Sequence, residues 1–263
     1  EVNVIEMEFP TYDLSGRRAL VTGAGSGIGR AAALCLAHYG ARVAVCDIQM
    51  ERAKAVSDEI QSFGGQAVAV QGDVSDAQSV AELFVQVDQA FGGLDILISN
   101  AGVGGDVKPI LEQSDEAFDQ VIAVDLKGAF LCAKQAATRM IAQGQGGRMI
   151  FTASIAAYEG GGFHGPYGAA KGGLCTLVKT MAHEWAPYGI TVNAVCPGLT
   201  RTGINEEISA DPELEAQFLK KIPVGRMAEP VEIASLMLYL ATDAAAFITG
   251  AALIADGGAT IGG

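Results

Sequence analysis

Seven short apolar runs, each followed by a segment with helical spacing, predict an α/β fold: a doubly wound sheet of seven parallel strands with helices on both faces. A second observation is how the first run ends, in the turn Gly23-Ala24-Gly25-Ser26-Gly27-Ile28-Gly29, which opens a helix. A third is placement. The glycine turn, Asp47, Asp73, Asn100, Ser154 and Pro197 all fall where a strand gives way to its following loop. Open parallel sheets bind ligands beyond those carboxyl ends, near the point where strand order reverses. No repeat, low-complexity run or Pro-rich linker divides the chain, which predicts a leader at 1–15 and a single domain at 16–263.

The elements follow in order. Ala19–Thr22 is the first strand, and an alanine-rich helix runs from the glycine turn to Tyr39, stopped by Gly40. A strand feeding such a turn is an anion site of Rossmann type, because glycines let backbone N–H groups approach a phosphate and the helix dipole favours its charge. The strand Arg42–Cys46 ends at Asp47, whose carboxylate can accept from a ribose diol and repels a 2′-phosphate. Ser26 and Ile48 carry no cation, so the cofactor expected is NAD rather than NADP. A helix (Glu51–Phe63), a strand (Gln66–Val70) and Gly72-Asp73-Val74 come next. Ser75 or Asp76 caps a helix to Phe91, and the strand Ile96–Ile98 delivers Ser99-Asn100-Ala101-Gly102. One long helix is expected from Ser114 to Ala142, broken by Gly146-Gly147, then a strand at Arg148–Thr152 with Ser154 beyond its end. After the helix carrying Tyr167 come the strand Thr191–Val195, a polar lid segment at 203–221, a helix at Pro230–Ala241 and a last strand at Ala252–Ala255.

Composition excludes several classes. The net charge is −13 with no basic run, which argues against nucleic acid as a partner. The most apolar stretch, Ile233 to Ala255, is interrupted by Thr242-Asp243 and Gly250, so no membrane span is expected. The five cysteines form no CxxC and sit in apolar elements, as small core residues of a reducing, cytoplasmic protein; no secretory signal is expected. The three histidines lack metal-ligand spacing, so no metal site is predicted.

The chemistry is concentrated between Ser154 and Lys171. Pro166 suits the first turn of a helix, and Leu174, Leu177, Val178, Met181 and Trp185 continue its apolar face. Tyr167 and Lys171 then lie one turn apart, about 6 Å along the axis, on one face. A phenol has a pKa of about 10, and a positive charge about 4 Å away at an effective dielectric of about 20 supplies on the order of 4 kcal/mol before screening. That suffices for about two to three units of acidification, enough to bring a tyrosine into use as an acid or base near neutrality.

Taken together, Thr22 to Gly29, Asn100-Ala101-Gly102, Ser154 thirteen positions before Tyr167, Tyr167-Gly168-Ala169-Ala170-Lys171, Pro197-Gly198 and Asp256-Gly257-Gly258 closely resemble the classical short-chain dehydrogenase/reductase family, over about Leu14 to Gly258. The resemblance implies that Tyr167 is the general acid/base, that Ser154 hydrogen-bonds the substrate oxygen, and that Lys171 bonds the nicotinamide ribose and acidifies Tyr167. It places Gly23, Ser26, Gly27, Ile28, Gly29, Asp47 and Ile48 around the cofactor. Asp73 and Val74 would lie at the adenine, with Asn100, Ala101 and Gly102 lining the cofactor. The loop from Pro197 and Gly198 would hold the carboxamide, with Thr202 ahead of Thr200 as its ligand. It also implies a homotetramer, for which Phe118, Val121 and Phe130 on the long helix and the Ala-rich C-terminal elements could supply buried surface.

One position departs from the family. Its fourth catalytic member is an asparagine, and Asp125 stands there, in Val124-Asp125-Leu126-Lys127-Gly128-Ala129-Phe130. An ionised aspartate only accepts, and near Lys171 it would offset the cation that acidifies Tyr167. The proton relay is expected to survive, shifted to alkaline pH. The substrate pocket would draw on Ile155, Ala156, residues 160–164, Leu199 and the lid. Glu206, Glu207 and Asp211 make that lid acidic, which favours a neutral secondary alcohol or ketone. Two rivals stand beside this reading: a 3-oxoacyl-thioester reductase of the same family, and a nucleotide-binding regulator with weakened catalysis.

Overall fold

The computed structural model describes residues 9–160 and 163–261; part of the expected leader and Gly161-Gly162 of the pocket loop lie outside them. Seven strands, β1 (Arg18–Thr22), β2 (Arg42–Asp47), β3 (Gln66–Gln71), β4 (Ile96–Ser99), β5 (Gly147–Thr152), β6 (Ile190–Pro197) and β7 (Ala252–Ala255), form one parallel sheet in the order β3-β2-β1-β4-β5-β6-β7. Strand order reverses between β1 and β4, so the loops after those two strands frame the crevice where such sheets bind ligands.

Period-two alternation sends each strand's side chains to two different cores. Leu20, Ala44, Cys46, Leu97, Met149 and Phe151 face helices α3 (Ala77–Phe91), α5 (Ala129–Gln143) and α6 (Gly165–Trp185). Ala19, Val21, Val43, Val45, Ile96, Ile98 and Ile150 face α1 (Gly27–His38), α2 (Met50–Ser62) and α9 (Pro230–Ala241). Burial on both faces explains why the strands read as continuous apolar runs. Leu14 is fully buried and its N–H donates to Tyr39 O at 2.7 Å, so the folded unit takes in the end of the expected leader.

Three expectations are corrected, and one open alternative is resolved. The long helix is not α-helical throughout: α4 (Asp115–Val121) passes into a π-helical stretch, Ile122–Gly128, before α5. That helix is stopped by Gly144, left-handed at φ 68°, rather than by Gly146-Gly147. Its Val121 is buried at 1% exposure, a core residue and not docking surface, whereas Phe118 and Phe130 are exposed. Asp76, not Ser75, caps α3, accepting from Gln78 N at 3.3 Å and Ser79 N at 3.0 Å. The segment at 203–221 carries helices α7 (Glu206–Ala210) and α8 (Pro212–Leu219), and its ends are tied by Ala228 N donating to Leu199 O and Arg201 N to Ala228 O.

Candidate active site

Thr22 closes β1 with a buried hydroxyl that accepts from Asn100 N at 3.0 Å and Ala101 N at 3.1 Å. The Asn100 amide donates to Thr22 O (3.1 Å) and Gly23 O (3.2 Å), and its oxygen accepts from Thr152 Oγ1 (3.0 Å). Asn100 is thus a clamp joining β1, β4 and β5 across the reversal point, with Ala101 and Gly102 held at the rim. Sequence reasoning placed Asn100 but missed Thr22, whose signal was a lone polar residue at the end of a buried strand.

The glycine turn is built for close approach. A Cβ on Gly25 would stand 2.6 Å from Asp47 Oδ2, and one on Gly29 would collide with Gly23 O. The Ser26 side chain leaves α1 uncapped, so the first-turn N–H groups are available to an anion. Asp47 is buried at the tip of β2, accepting from Gly25 N and Gln49 N, both at 3.0 Å. Ile48 beside it is exposed. Asp73 accepts from Ser75 N and Oγ, while Val74 is buried against Gly128. This set fits a dinucleotide: uncapped amides for the pyrophosphate, and a fixed carboxylate one strand away.

Ser154 follows β5 and caps a 3₁₀ turn, Ile155–Ala157, its Oγ accepting from Ala156 N at 3.1 Å. Because Oγ accepts there, its own proton stays free to donate elsewhere. Helix α6 seats against this turn through two glycines: a Cβ on Gly168 would lie 3.2 Å from Ala156 O and one on Gly172 3.8 Å from Ala157 O. These glycines, visible as small residues interleaved with Tyr167 and Lys171, were not assigned a role by sequence reasoning.

Lys171 is 3% exposed. Its Nζ lies 5.4 Å from the Tyr167 ring centroid, donates to Thr152 O at 2.9 Å, and stands 3.0 Å from Asp125 Oδ2. Burial alone would favour the neutral amine, but Tyr167 and Asp125 outweigh it and hold the Lys171 pKa above the ordinary lysine value. Asp125 sits mid-way along the π-helical stretch at 1% exposure, with Oδ1 accepting from Val103 N at 2.9 Å. Its Oδ2 faces Lys171 off the hydrogen-bonding direction and has no other partner among the described residues. Gly102 makes room for the pair, since its Cβ would stand 3.0 Å from Oδ2 and 3.4 Å from Nζ.

The far rim comes from the loop Pro197–Thr202. A Cβ on Gly198 would stand 2.7 Å from Asp256 Cα, so Pro197-Gly198 lies directly on the Asp256-Gly257-Gly258 turn. Thr200 is buried with its hydroxyl on Gly198 O, whereas the Thr202 methyl reaches to 3.2 Å from the Cβ position of Gly27. Ile204 approaches Gly104, so the lid faces the loop after β4. That loop was missed as pocket wall: Lys108 N donates to Phe163 O, Ile110 packs over Gly165, and Val107, Ile110 and Leu111 are exposed apolar residues. His164 is exposed at the start of α6. The lid's acidity has a structural reason: Asp211 caps α8, and Glu206 and Glu207 occupy the first turn of α7. A separate cleft of about 630 Å³ lies around Arg17, Asp95, Arg148 and Asp243, at the opposite end of the sheet, and its charges are already paired.

Comparison with known proteins agrees with this geometry. A family model described as enoyl-(acyl carrier protein) reductase matches residues 23–260. The L-rhamnose 1-dehydrogenase (NAD(P)(+)) of Azotobacter vinelandii is 38% identical over 93% of this chain and 97% of its own length. A 2,5-dichloro-2,5-cyclohexadiene-1,4-diol dehydrogenase of Sphingobium indicum is 40% identical over 94% and 98%. A solved short-chain dehydrogenase/reductase from Mycobacterium marinum superposes with a TM-score of 0.90 at 39% identity, covering 95% of this chain and 97% of that one. With the glycine turn, the Tyr167–Lys171 helix and the strand order all in place over matches of this length, the chain belongs to the short-chain dehydrogenase/reductase family of oxidoreductases.

Proposed function

We propose that this protein interconverts a secondary alcohol and a ketone with NAD(H), using Tyr167 as acid/base. The observation that carries the reading is the Tyr167 ring beside a buried, doubly held Lys171, on a helix packed against the turn that Ser154 caps with its hydroxyl proton free. The dinucleotide, when bound, supplies the hydride acceptor or donor. The α1 amides would hold its pyrophosphate, Asp47 the adenosine ribose, Val74 and Asp73 the adenine side, and Lys171 the second ribose. Thr202, which overhangs the glycine turn, is the better placed of the two threonines for the carboxamide. Ser154 donates to the substrate oxygen and fixes its position, and Tyr167 takes the hydroxyl proton in oxidation or returns it in reduction. Polyol and sugar dehydrogenases among the relatives favour a neutral hydroxylated substrate. The five free cysteines support a reducing, cytoplasmic setting, and exposed Phe118, Phe130, Phe247 and Ile254 support burial in a homotetramer.

The test is hydride transfer with NADH and NADPH separately, over neutral ketones, sugars and 3-oxoacyl thioesters. Turnover of a ketone or sugar with NADH supports the reading; NADPH-dependent turnover of a thioester alone overturns it. Asp47→Ala checks the cofactor preference. Losing hydrogen bonds to a charged acceptor, about 1.5–3 kcal/mol, should lower kcat/KM for NAD about 10- to 100-fold, while the ratio of NADP to NAD turnover rises. A collapsed glycine turn would lower both cofactors equally, so the ratio is the readout.

Asp125→Asn checks the departure from the family. The ion pair partly cancels the Lys171 charge at Tyr167, so removing the carboxylate favours the phenolate. The rising limb of the pH–rate profile in the oxidation direction should move to lower pH. An unchanged profile would show that Asp125 has no electrostatic part in the reaction.

A further inference from the structure

Two cysteines near the catalytic helix are not used by the reaction. Cys175 lies on α6 one turn beyond Lys171, and Cys196 lies on β6 just before Pro197-Gly198. Their sulfurs are 3.9 Å apart, although the residues are 21 positions apart in sequence. Tyr158, which is half exposed, lies near the same two sulfurs. Burial and these neighbours push the Tyr158 pKa up to about 12, which keeps it a donor.

The two thiols are not equivalent. Cys175 is 6% exposed and Cys196 is 0% exposed, so Cys175 is the outer sulfur. The sulfur–sulfur contact, in which either thiol can donate, acts with Tyr158 and the ammonium groups of Lys179 and Lys171 against the cost of burial, placing the Cys175 pKa below the ordinary thiol value. Cys196, beside Cys175 and fully buried, is held above it. An outer thiol of lowered pKa with a fully buried second sulfur 3.9 Å away is the arrangement of an attacking and a resolving cysteine. The other three cysteines lack it: Cys46 and Cys132 are buried with raised pKa values, and Cys35 is partly exposed but also raised.

We propose that Cys175 and Cys196 are a redox modification site for hydroperoxides, closing to a disulfide. Cys175 thiolate attacks the outer oxygen of ROOH, breaking the O–O bond; with one proton taken up, the products are Cys175 sulfenic acid and ROH. The Cys196 sulfur then attacks Cys175 sulfur, the S–O bond breaks, and the hydroxide leaves as water with the Cys196 proton. The sum is two thiols and ROOH giving one disulfide, ROH and H₂O. The sulfurs must close from 3.9 Å to about 2.05 Å, a movement that draws the turn of α6 after Lys171 toward the end of β6. Turnover therefore falls on bridging and returns on reduction by a dithiol. Only this last consequence rests on the proposed function.

The experiment is stepwise addition of hydrogen peroxide to the full-length protein, acid quenching, alkylation under denaturing conditions and peptide mapping. The expected result is a Cys175–Cys196 linked peptide that forms on the order of tenfold faster than Cys35 oxidises, and is lost after dithiothreitol. In Cys196→Ser, Cys175 should be trapped by dimedone as the sulfenic acid; in Cys175→Ser, Cys196 should stay a thiol. Oxidation of Cys35 first, with Cys175 and Cys196 still alkylated as free thiols in the wild-type protein, overturns the proposal. So does a dimedone adduct on Cys196 rather than Cys175. Because the wild-type map decides, a variant that fails to fold leaves the outcome intact.

Discussion

Tyr167→Phe should lower kcat by about 10³-fold, within the range of about 10²–10⁴ that a positioned acid/base contributes, and leave dinucleotide affinity within about threefold. The substitution is unusually clean at this position. Phenylalanine keeps the ring that lies 5.4 Å from Lys171 Nζ, so the packing beside the buried ammonium is retained and only the hydroxyl is removed. Two other groups could in principle move the substrate proton. Ser154 has a free proton, but among the described residues its hydroxyl donates to no side chain that could take that proton, its Oγ only accepting from Ala156 N. His164 is exposed at the start of α6 and makes no side-chain cap there. Neither matches a phenol facing a buried cation. Steady-state kinetics with a fluorescence titration of NADH decides the matter. A loss below tenfold would move the acid/base role to one of those two residues, whereas loss of cofactor binding along with turnover would make Tyr167 a structural residue.

The fold was legible in the sequence because its two signals are local. Alternating apolar runs and helical periods specify seven strands, and glycine with a positive φ marks turns such as Gly40 and Gly92. The site was legible for a different reason: its residues cluster at strand ends, and the reversal between β1 and β4 brings those ends together. What escaped were features set by tertiary contact. The π-helical widening at Ile122–Gly128 has no periodic signature, because one added residue per turn cannot be separated from scatter in an apolar pattern. The wall around Ile110 was read as loop because its apolar residues acquire meaning only once Phe163 and Gly165 lie against them. The lid's acidity was assigned to the substrate, whereas three of its carboxylates sit at helix starts, where local capping and dipole effects account for them.

The Asp125–Lys171 pair makes the second large prediction, because here catalysis and stability pull on the same two residues. Lys171→Met keeps the side-chain volume and leaves Asp125 at 1% exposure with Val103 N as its one donor among the described residues. Removing one partner of a buried pair costs about 3–5 kcal/mol, since the remaining charge must be desolvated alone. For a chain of this size that corresponds to a fall in Tm of about 10 °C. The double variant Lys171→Met with Asp125→Leu should recover most of that loss, as an apolar pair of similar volume needs no compensation, while turnover stays absent. Stability and activity would then separate cleanly: the pair is dispensable for folding and Lys171 is not dispensable for turnover. The sign of the pH dependence is also fixed. A lysine whose folded pKa is raised contributes stability that is complete below its unfolded value of about 10.4 and is lost as pH climbs through the folded value, so melting between pH 6 and 9 should not titrate through Lys171. Calorimetry of the three proteins checks both points, and a Lys171→Met protein melting within about 2 °C of wild type would mean that Asp125 finds a proton or a new donor at little cost.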